Sequence, residues 1–508
     1  MEKLSLKEIK DKILGCWEGK NIGGVLGAPF EMYRGTVDVN FYTQDLTKGI
    51  PANDDLDLQL IWLNACEKYG KSVNTDILSE YWVSYQIDNS NEYGTALENL
   101  RSGLVSPLSG VVGNPYRNSN GAFIRSEIWA CLFPGNPYNA VKYCYEDAIV
   151  DHSDEGLYAA VFCTVLESVA FLEKDVYRLV EIAKSYIPIQ SAIYQVIDRV
   201  QKMHVDKCSI DEIREMLLTD YPSYFGIFNK HPWELKENFP LGEIGFDAPV
   251  QIGIIVASLL IGNGNFEKTI ITAVYCGEDA DCTAATCGAI LGIINGASNI
   301  PEKWKKPLGH NIETVCINRR RCLNIPSTTD ELTERVVRLL PVFNDEKTCL
   351  LDETGFFIVA EEPDVYDTRD QYFIGNYGME PTKITELITR APFKKLYHNF
   401  VFDVLVDYKK EPFIKVGETV LLDVTVFNNN TDWAKHTINI KVFSDDDIDI
   451  KTGKFMRDIV ANNYETKGEF HIEFAVNETC KPYIDLYLDI TSESRPTSEL
   501  IKCRYFFV

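Results

Sequence analysis

Three groups of acidic residues each stand where a helix is predicted to begin or end. Asp279 and Asp281 are separated by one residue and precede an apolar helical run. Asp54 and Asp55 are adjacent and precede the apolar segment LDLQLIWLNACEKYG, and Glu31 closes the glycine-rich segment GCWEGKNIGGVLGAPFE. Carboxylate oxygens are the ligands that hard divalent cations prefer in proteins. These residue types therefore indicate a cation site. The alternative is that each acid only caps its helix and complements the helix dipole.

Two rows of small residues are placed to position these acids. One row holds Gly15, Gly19, Gly23 and Gly27, and the other holds Ala284, Gly288, Gly292 and Gly296. A step of four residues keeps side chains near one face of a helix. Because each Gly inside a helix costs up to ~1 kcal/mol relative to Ala, a compensating interaction is expected. We predict that the two rows pack against each other in a tight crossing that brings Glu31 towards Asp279 and Asp281.

The predicted elements divide the chain into a helical part and a β-rich part. Helical periodicity extends from the N-terminus to about residue 340, and short alternating β-branched and aromatic runs follow it. We predict an all-α orthogonal helical domain over residues 1–342 and a linker over residues 343–365. An antiparallel β-sandwich, immunoglobulin-like or carbohydrate-binding-like, is predicted over residues 366–508. A chain of 508 residues is longer than one ordinary core accommodates, in agreement with this division.

Composition excludes several classes of protein. The net charge of −25 argues against a duplex-binding surface, since nucleic-acid affinity depends on Lys and Arg that neutralise phosphates. The 14 cysteines form no CxxC pair and have no zinc-site spacing, which favours free thiols in a reducing compartment. The N-terminus lacks an apolar signal segment, and no stretch of 18 apolar residues occurs. We therefore expect a cytoplasmic protein that binds neither nucleic acid nor membrane.

Polar residues in the helical part supply candidate ligand contacts. Asn120 and Gly121 end a long loop over residues 102–121, and loops of this length in compact domains are usually functional or disordered. Asn118, Ser119, Asn120 and Gly121 offer hydrogen bonds suited to a polyhydroxylated ligand. His152 and Ser153 precede another apolar helix. The alternative for His152 is a structural hydrogen bond in the core.

These segments together resemble the ADP-ribosylglycohydrolase family over roughly residues 10–310. The resemblance is carried by GCxxGxxxGxxLGxxxE, NDD, NGA, the early-helix His, GxDxDCxxAxxGxxxG and the downstream IPEKWKKPL. The chain closely resembles a bacterial branch of that family in which a Cys follows the second Asp. The resemblance implies an orthogonal all-α fold with two adjacent divalent cations in a central cleft. Mg²⁺ is the implied cation, with Mn²⁺ or Ca²⁺ as alternatives.

Site residues follow from the resemblance by matching position. The implied metal ligands are Asn53, Asp54, Asp55, Asp279, Asp281 and Cys282. Glu31 and Asp55 are the implied catalytic residues, and the implied substrate-binding residues are Asn120, Gly121, His152 and Ser153. Many relatives have Thr where this chain has Asn53, Ala280 and Cys282. The sulfur of Cys is a softer donor than a hydroxyl oxygen and suits Mg²⁺ poorly.

The function that these observations predict is metal-dependent hydrolysis of an ADP-ribosyl bond, or of a related ribosyl or glycosyl bond. Metal-activated water is the expected nucleophile, because neither Ser153 nor Cys282 has a recognisable base motif beside it. The substrate would be a small molecule or an ADP-ribosylated protein. The alternative is a non-catalytic member of the same fold that binds ADP-ribose or a sugar. The β-sandwich leaves open a role in carbohydrate binding, in oligomerisation or in shaping the cleft.

Overall fold

The chain forms two compact units in a computed structural model. The structure describes residues 2–33, 35–52, 54–221, 247–321, 324–353, 355–366, 384–428, 435–460, 467–477 and 481–508. The first unit comprises Met1–Glu98 and Gly113–Asp367. The second unit comprises Asn99–Val112 and Thr368–Val508.

Helices dominate the first unit. In chain order the helices are α1 (Leu6–Gly27), α2 (Asp57–Tyr69), α3 (Thr75–Tyr85), α4 (Asn91–Arg101), α5 (Leu108–Val111), α6 (Glu127–Leu132), α7 (Pro137–Ala148), α8 (Asp154–Val169), α9 (Val176–Lys184), α10 (Ala192–Val205), α11 (Ile210–Asp220), α12 (Ala248–Gly262), α13 (Phe266–Tyr275), α14 (Ala280–Asn295), α15 (Glu302–Lys305), α16 (Thr329–Phe343) and α17 (Ile384–Ile388). Of these, α5, α17 and the last residues of α4 belong to the second unit. Across the described ranges no helix is both long and apolar enough to cross a membrane.

Strands occur mainly in the second unit. They are β1 (Glu2–Ser5), β2 (Cys349–Asp352), β3 (Gly355–Ala360), β4 (Lys394–His398), β5 (Phe402–Asp407), β6 (Phe413–Ile414), β7 (Thr419–Asn428), β8 (His436–Phe443), β9 (Ile448–Ile450), β10 (Phe455–Val460), β11 (Lys467–Val476), β12 (Tyr483–Ser492) and β13 (Thr497–Phe507). They build one small sheet of order β1-β3-β2 and two five-stranded sheets, of order β10-β8-β12-β13-β6 and β4-β5-β7-β11-β9.

Helices α1 and α14 cross with their backbones very close together. An alanine Cβ placed at Gly15, Gly19, Gly23 or Gly27 would lie between 2.0 and 2.3 Å from a backbone carbonyl oxygen of α14. Those oxygens belong, in the same order, to Gly292, Gly288, Ala284 and Ala280. The two helices therefore run antiparallel with their backbones in contact, and only glycine on α1 permits this approach. The predicted crossing is confirmed, and it brings the end of α1 to the start of α14.

The first unit also contains the small sheet, which the helical pattern did not predict. β1 pairs with β3, and β3 pairs with β2, in antiparallel register. Both β2 and β3 lie inside residues 343–365, the segment predicted as a linker. Leu4 and Ile358 face each other across the sheet and are both buried. The segment after α16 is thus ordered because its apolar residues pair with the N-terminal strand.

The second unit is a β-sandwich. Its strand pairs are antiparallel except for the short pair of β13 with β6. Buried and partly exposed residues alternate along β12, and the buried ones join one apolar core with those of the other sheet. Leu104, Leu108 and Val112 pack into that same core. Their apolar contacts explain why residues 99–112 group with the sandwich, although they were predicted within the helical domain. The predicted fold class, a helical domain followed by a β-sandwich, is confirmed.

Candidate metal centre

The segment that carries Glu31 is tied to the segment that precedes Asp279. The amide of Met32 donates to the Glu278 carbonyl at 2.7 Å, and the Glu278 amide donates to the Tyr33 carbonyl at 2.8 Å. Gly277 has a φ of 65°, and a Cβ there would collide with the carbonyl oxygens of Tyr33 and Gly35. Gly277 is therefore required both for its left-handed backbone and for this contact. The bridge fixes the start of α14 against the chain that follows α1.

Glu278 stabilises this loop and is held by an arginine. Its carboxylate lies 3.4 Å from the guanidinium of Arg214, and Arg214 Nε donates to the Cys276 carbonyl at 2.7 Å. Both side chains are buried. The acid beside Asp279 in the sequence thus has a structural partner.

The Asp54–Asp55 segment is anchored by Asp57, which sequence reasoning overlooked. The Asp57 amide donates to the Asp54 carbonyl at 2.9 Å. The Asp57 carboxylate accepts the amide of Val315 at 2.7 Å and also that of Cys316. Asp57 is therefore a structural acid that joins the start of α2 to the chain before α16. Asp55, two residues earlier in the chain, is only 3% exposed.

The acids from three places in the sequence meet in two groups. Glu31, Asp279 and Asp281 each offer an oxygen, and these three oxygens lie within 4.8 Å of one another. Asp55, Asp281 and Cys282 form a second group with the same spacing of their ligand atoms. We call these the oxygen group and the sulfur group. Asp281 belongs to both, so the groups are adjacent.

Crowded carboxylates raise one another's pKa at this site. Partial burial, with the charges of Asp279 and Asp55, raises the pKa of Glu31 to about 7. Burial and the same two charges raise the pKa of Asp281, and burial beside Asp55 raises that of Asp54. Asp279 is 2% exposed, and its Oδ1 has no hydrogen-bond partner among the residues that the structure describes. A cation between the acids would relieve this repulsion and supply the missing partner.

The remaining predicted residues differ in their relation to the two groups. Asn53 lies outside the described residues. Asp54 adjoins the site without entering either group. The Asn120 amide donates to Asp279 Oδ2, so this loop contacts the centre directly. A Cβ at Gly121 would collide with the Glu92 carboxylate, which accounts for glycine there.

His152 and Ser153 belong to a buried hydrogen-bonded layer. His152 Nε2 lies 2.9 Å from Ser119 Oγ, and its Nδ1 lies 2.8 Å from the Asp151 carboxylate. Asp151 also accepts two bonds from the Arg125 guanidinium, at 2.6 and 3.0 Å. The Ser153 hydroxyl donates to Asp154 at 3.1 Å. Through Ser119, this layer supports the loop that carries Asn120.

A buried ion pair that is linked to Asp55 through Gln59 was also missed by sequence reasoning. Lys20 Nζ lies 2.6 Å from Glu127 Oε1, and both side chains are fully buried. Glu127 Oε2 accepts from Gln59 Nε2 at 2.7 Å, and the same amide donates to the Asp55 carbonyl at 3.3 Å. The signal that could have found it is a lysine inside the glycine row of α1, in GKNIGG.

A family model described as ADP-ribosylglycohydrolase matches residues 5–343. The chain belongs to the ADP-ribosylglycohydrolase family. One solved structure it resembles is an "ADP-ribosylglycohydrolase-related protein complex", with 17% identity, a TM-score of 0.45, and coverage of 67% of this chain and 100% of the other. Another is a FixG-related protein from Vibrio parahaemolyticus, with 10% identity, a TM-score of 0.17, and coverage of 21% and 94%. No curated protein matches the chain.

Membership in the ADP-ribosylglycohydrolase family supports a hydrolase-like function, and members typically bind divalent metals. The residues present fit such ions. The oxygen group offers three carboxylates, a donor set that suits Mg²⁺. The sulfur group offers two carboxylates and the Cys282 thiol, and sulfur suits softer divalent metals.

Proposed function

We propose that this ADP-ribosylglycohydrolase-family protein is a metal-dependent glycosidase that cleaves an ADP-ribosyl bond, or a related ribosyl or glycosyl bond, with water. The observation that carries the proposal is the convergence of Glu31, Asp55, Asp279 and Asp281 in two groups that share Asp281. Three separate helix caps would not require these acids to meet. When bound, a pair of divalent cations supplies Lewis-acid binding of sugar hydroxyls and activation of a water.

The proposed roles of the acidic residues, cation binding and proton transfer, follow from their positions. Asp55, Asp279 and Asp281 are buried and are proposed to hold the cations, with Asp54 and Asn53 as further candidate ligands. Glu31 lies at the exposed rim, where substrate and water have access. Cations held by these aspartates would offset the repulsion that raises the pKa of Glu31, so its carboxylate would be ionised and able to accept a proton at neutral pH. Glu31 is therefore proposed as the general base that takes the proton of the attacking water, with Asp55 supporting it electrostatically.

Contacts around Asn120 support a substrate-binding role for its loop. The Asn120–Asp279 hydrogen bond places residues 118–121 beside the oxygen group. Asn120 and Gly121 are therefore proposed to line the pocket for the ribose. His152 is fully buried and contacts Ser119, so we propose that it and Ser153 position this loop from behind.

The test is turnover on ADP-ribosylated peptide, free ADP-ribose derivatives and aryl glycosides, with and without chelator. Chelator and Asp281→Asn should each abolish hydrolysis. Glu31→Gln should lower kcat by about 10²–10⁴-fold, the range for loss of a general base, with little change in ADP-ribose affinity. Glu18→Gln is the matched control, because Glu18 lies on α1 and contacts His310 away from both groups.

Two results would decide against this function. Hydrolysis that continues undiminished in chelator, or in Asp281→Asn, would refute the metal mechanism. Binding of ADP-ribose without turnover of any substrate would favour the non-catalytic alternative.

A further inference from the structure

We infer that the two cation positions differ in metal preference, and that Cys282 makes the sulfur group select a softer divalent ion such as Zn²⁺, Co²⁺ or Fe²⁺. The oxygen group, by contrast, would take Mg²⁺. This inference rests on the proposed metal-dependent function and concerns the identity of the ions at that same site.

The geometry of Cys282 places its sulfur among metal ligands. Cys282 lies in the first turn of α14, directly after Asp281. Its Sγ and one oxygen each from Asp55 and Asp281 are mutually within 4.8 Å. Two ligands of one zinc ion are separated by at most the sum of their bond lengths, about 4.5 Å for sulfur and oxygen. All three atoms are therefore within reach of a common ion after small side-chain rotations.

Cys282 differs from a cysteine that only fills the core. Cys287, one turn further along α14, has its sulfur 3.8 Å from the Ile255 carbonyl. Cys282 has acids for neighbours instead, because its sulfur lies within 4.8 Å of carboxylate oxygens of Asp55 and Asp281. It is 7% exposed. A shared cation would bind this thiol and both carboxylates.

A second observation shows that a ligand is needed here. Asp279, in the adjoining oxygen group, is buried, and its Oδ1 lacks a hydrogen-bond partner among the described residues. Buried polar atoms are almost always satisfied, and an ion bound between the acids would supply the partner of this oxygen. Because Asp281 belongs to both groups, an ion in one position lies next to the other.

The donor atoms decide which ion each position prefers. Mg²⁺ takes oxygen ligands and keeps several waters, whereas thiolate sulfur favours softer transition metals. On coordination the metal replaces the proton of the Cys282 thiol, and that proton leaves to the buffer. No electron is transferred in this step. The result is a mixed pair of ions, or a vacant sulfur group when Mg²⁺ alone is supplied.

The experiment uses the full chain, from which metal has first been removed. One sample is reloaded with Co²⁺ for spectroscopy, and two others are titrated with Mg²⁺ and with Zn²⁺ to measure the dissociation constants. Wild-type protein with Co²⁺ should show a sulfur-to-cobalt charge-transfer band in the near ultraviolet. Cys282→Ser should lose that band and shift its preference from Zn²⁺ towards Mg²⁺ by at least about tenfold in the ratio of dissociation constants. Cys287→Ser, the matched control, should keep both properties.

The outcomes separate this inference from the proposed function. If the wild type binds Co²⁺ without the band, or if Cys282→Ser keeps the wild-type metal preference, the inference is wrong while metal-dependent hydrolysis stands. If the wild type binds no divalent metal, the proposed function fails as well. If the serine variant does not fold, the absence of the band from the cobalt-loaded wild type would still overturn the inference.

Discussion

Replacement of Gly23 by Ala tests whether the α1–α14 crossing holds the metal centre together. An alanine Cβ there would lie 2.0 Å from the Ala284 carbonyl oxygen, 2.3 Å from its carbon and 2.5 Å from the Ala285 nitrogen. Ordinary contact of a Cβ begins at 3.4 Å, so the two backbones would have to separate by well over an ångström. The obstacles are atoms of a helix backbone, which has no side-chain rotation with which to yield.

The magnitude follows from two opposing effects. Overpacking of a core typically costs ~1–3 kcal/mol, and more when the neighbours do not relax. Alanine recovers up to ~1 kcal/mol of helix propensity relative to glycine. Because loss of contact along the whole helix pair accompanies the separation, we expect the free energy of unfolding to fall by about 2–4 kcal/mol. Mg²⁺ binding should weaken too, since the displacement of α14 disturbs Asp279 and Asp281 at its start.

Urea unfolding followed by the helical circular-dichroism signal measures the first effect, and calorimetric Mg²⁺ titration of the folded protein measures the second. Gly253→Ala is the matched control inside α12, where an added Cβ meets the end of the Leu217 side chain, 2.3 Å away. That side chain can rotate, so the control should change the unfolding free energy by no more than about 1 kcal/mol. Equal effects of the two substitutions would refute the claim that close backbone contact defines the crossing.

Two further predictions concern buried charge. In chelated protein, Glu31 keeps a proton up to pH about 7 when folded but loses it near its ordinary pKa of 4.5 when unfolded, so stability should fall as pH rises through that window. Glu31→Gln should remove this part of the decline of the urea midpoint with pH. If the urea midpoints of the wild type and the variant change with pH to the same extent, the raised pKa is wrongly assigned to Glu31. Lys20→Met leaves Glu127 buried without its ion-pair partner and should cost about 3–5 kcal/mol of unfolding free energy. The Lys20→Met, Glu127→Gln double variant should recover much of that loss in urea unfolding, and strictly additive losses would show that the two charges are uncoupled.

Features with a local cause were predictable from the sequence alone. The glycine rows were visible because a helix repeats every 3.6 residues, so a four-residue step marks one face. The acids at helix ends were visible for the same reason, since each follows or precedes a periodic run. The change from helical to alternating periodicity placed the β-sandwich after the helices. The motif set also pointed to the family that the chain matches.

Contacts between residues far apart in the sequence were decided only by the tertiary structure. The sharing of Asp281 between the two groups depends on how α1, α2 and α14 meet, and local periodicity does not specify that meeting. The hydrogen bond from Asn120 to Asp279 and the ion pair of Lys20 with Glu127 likewise depend on tertiary structure, since the partners are 159 and 107 residues apart.

Residues of similar type likewise have different roles because their surroundings in the fold differ. Glu278 and Asp279 are neighbours in sequence, yet one is held by Arg214 and the other faces the site. Leu104 and Leu108 lie between two segments of the first unit in the sequence but pack in the sandwich core, where they bury apolar surface with strands that begin almost 300 residues later. Sequence periodicity determines which face of an element is apolar or small. Packing between elements far apart in the sequence buries that face against a particular neighbour. This packing therefore determines which acids come close enough to share a cation.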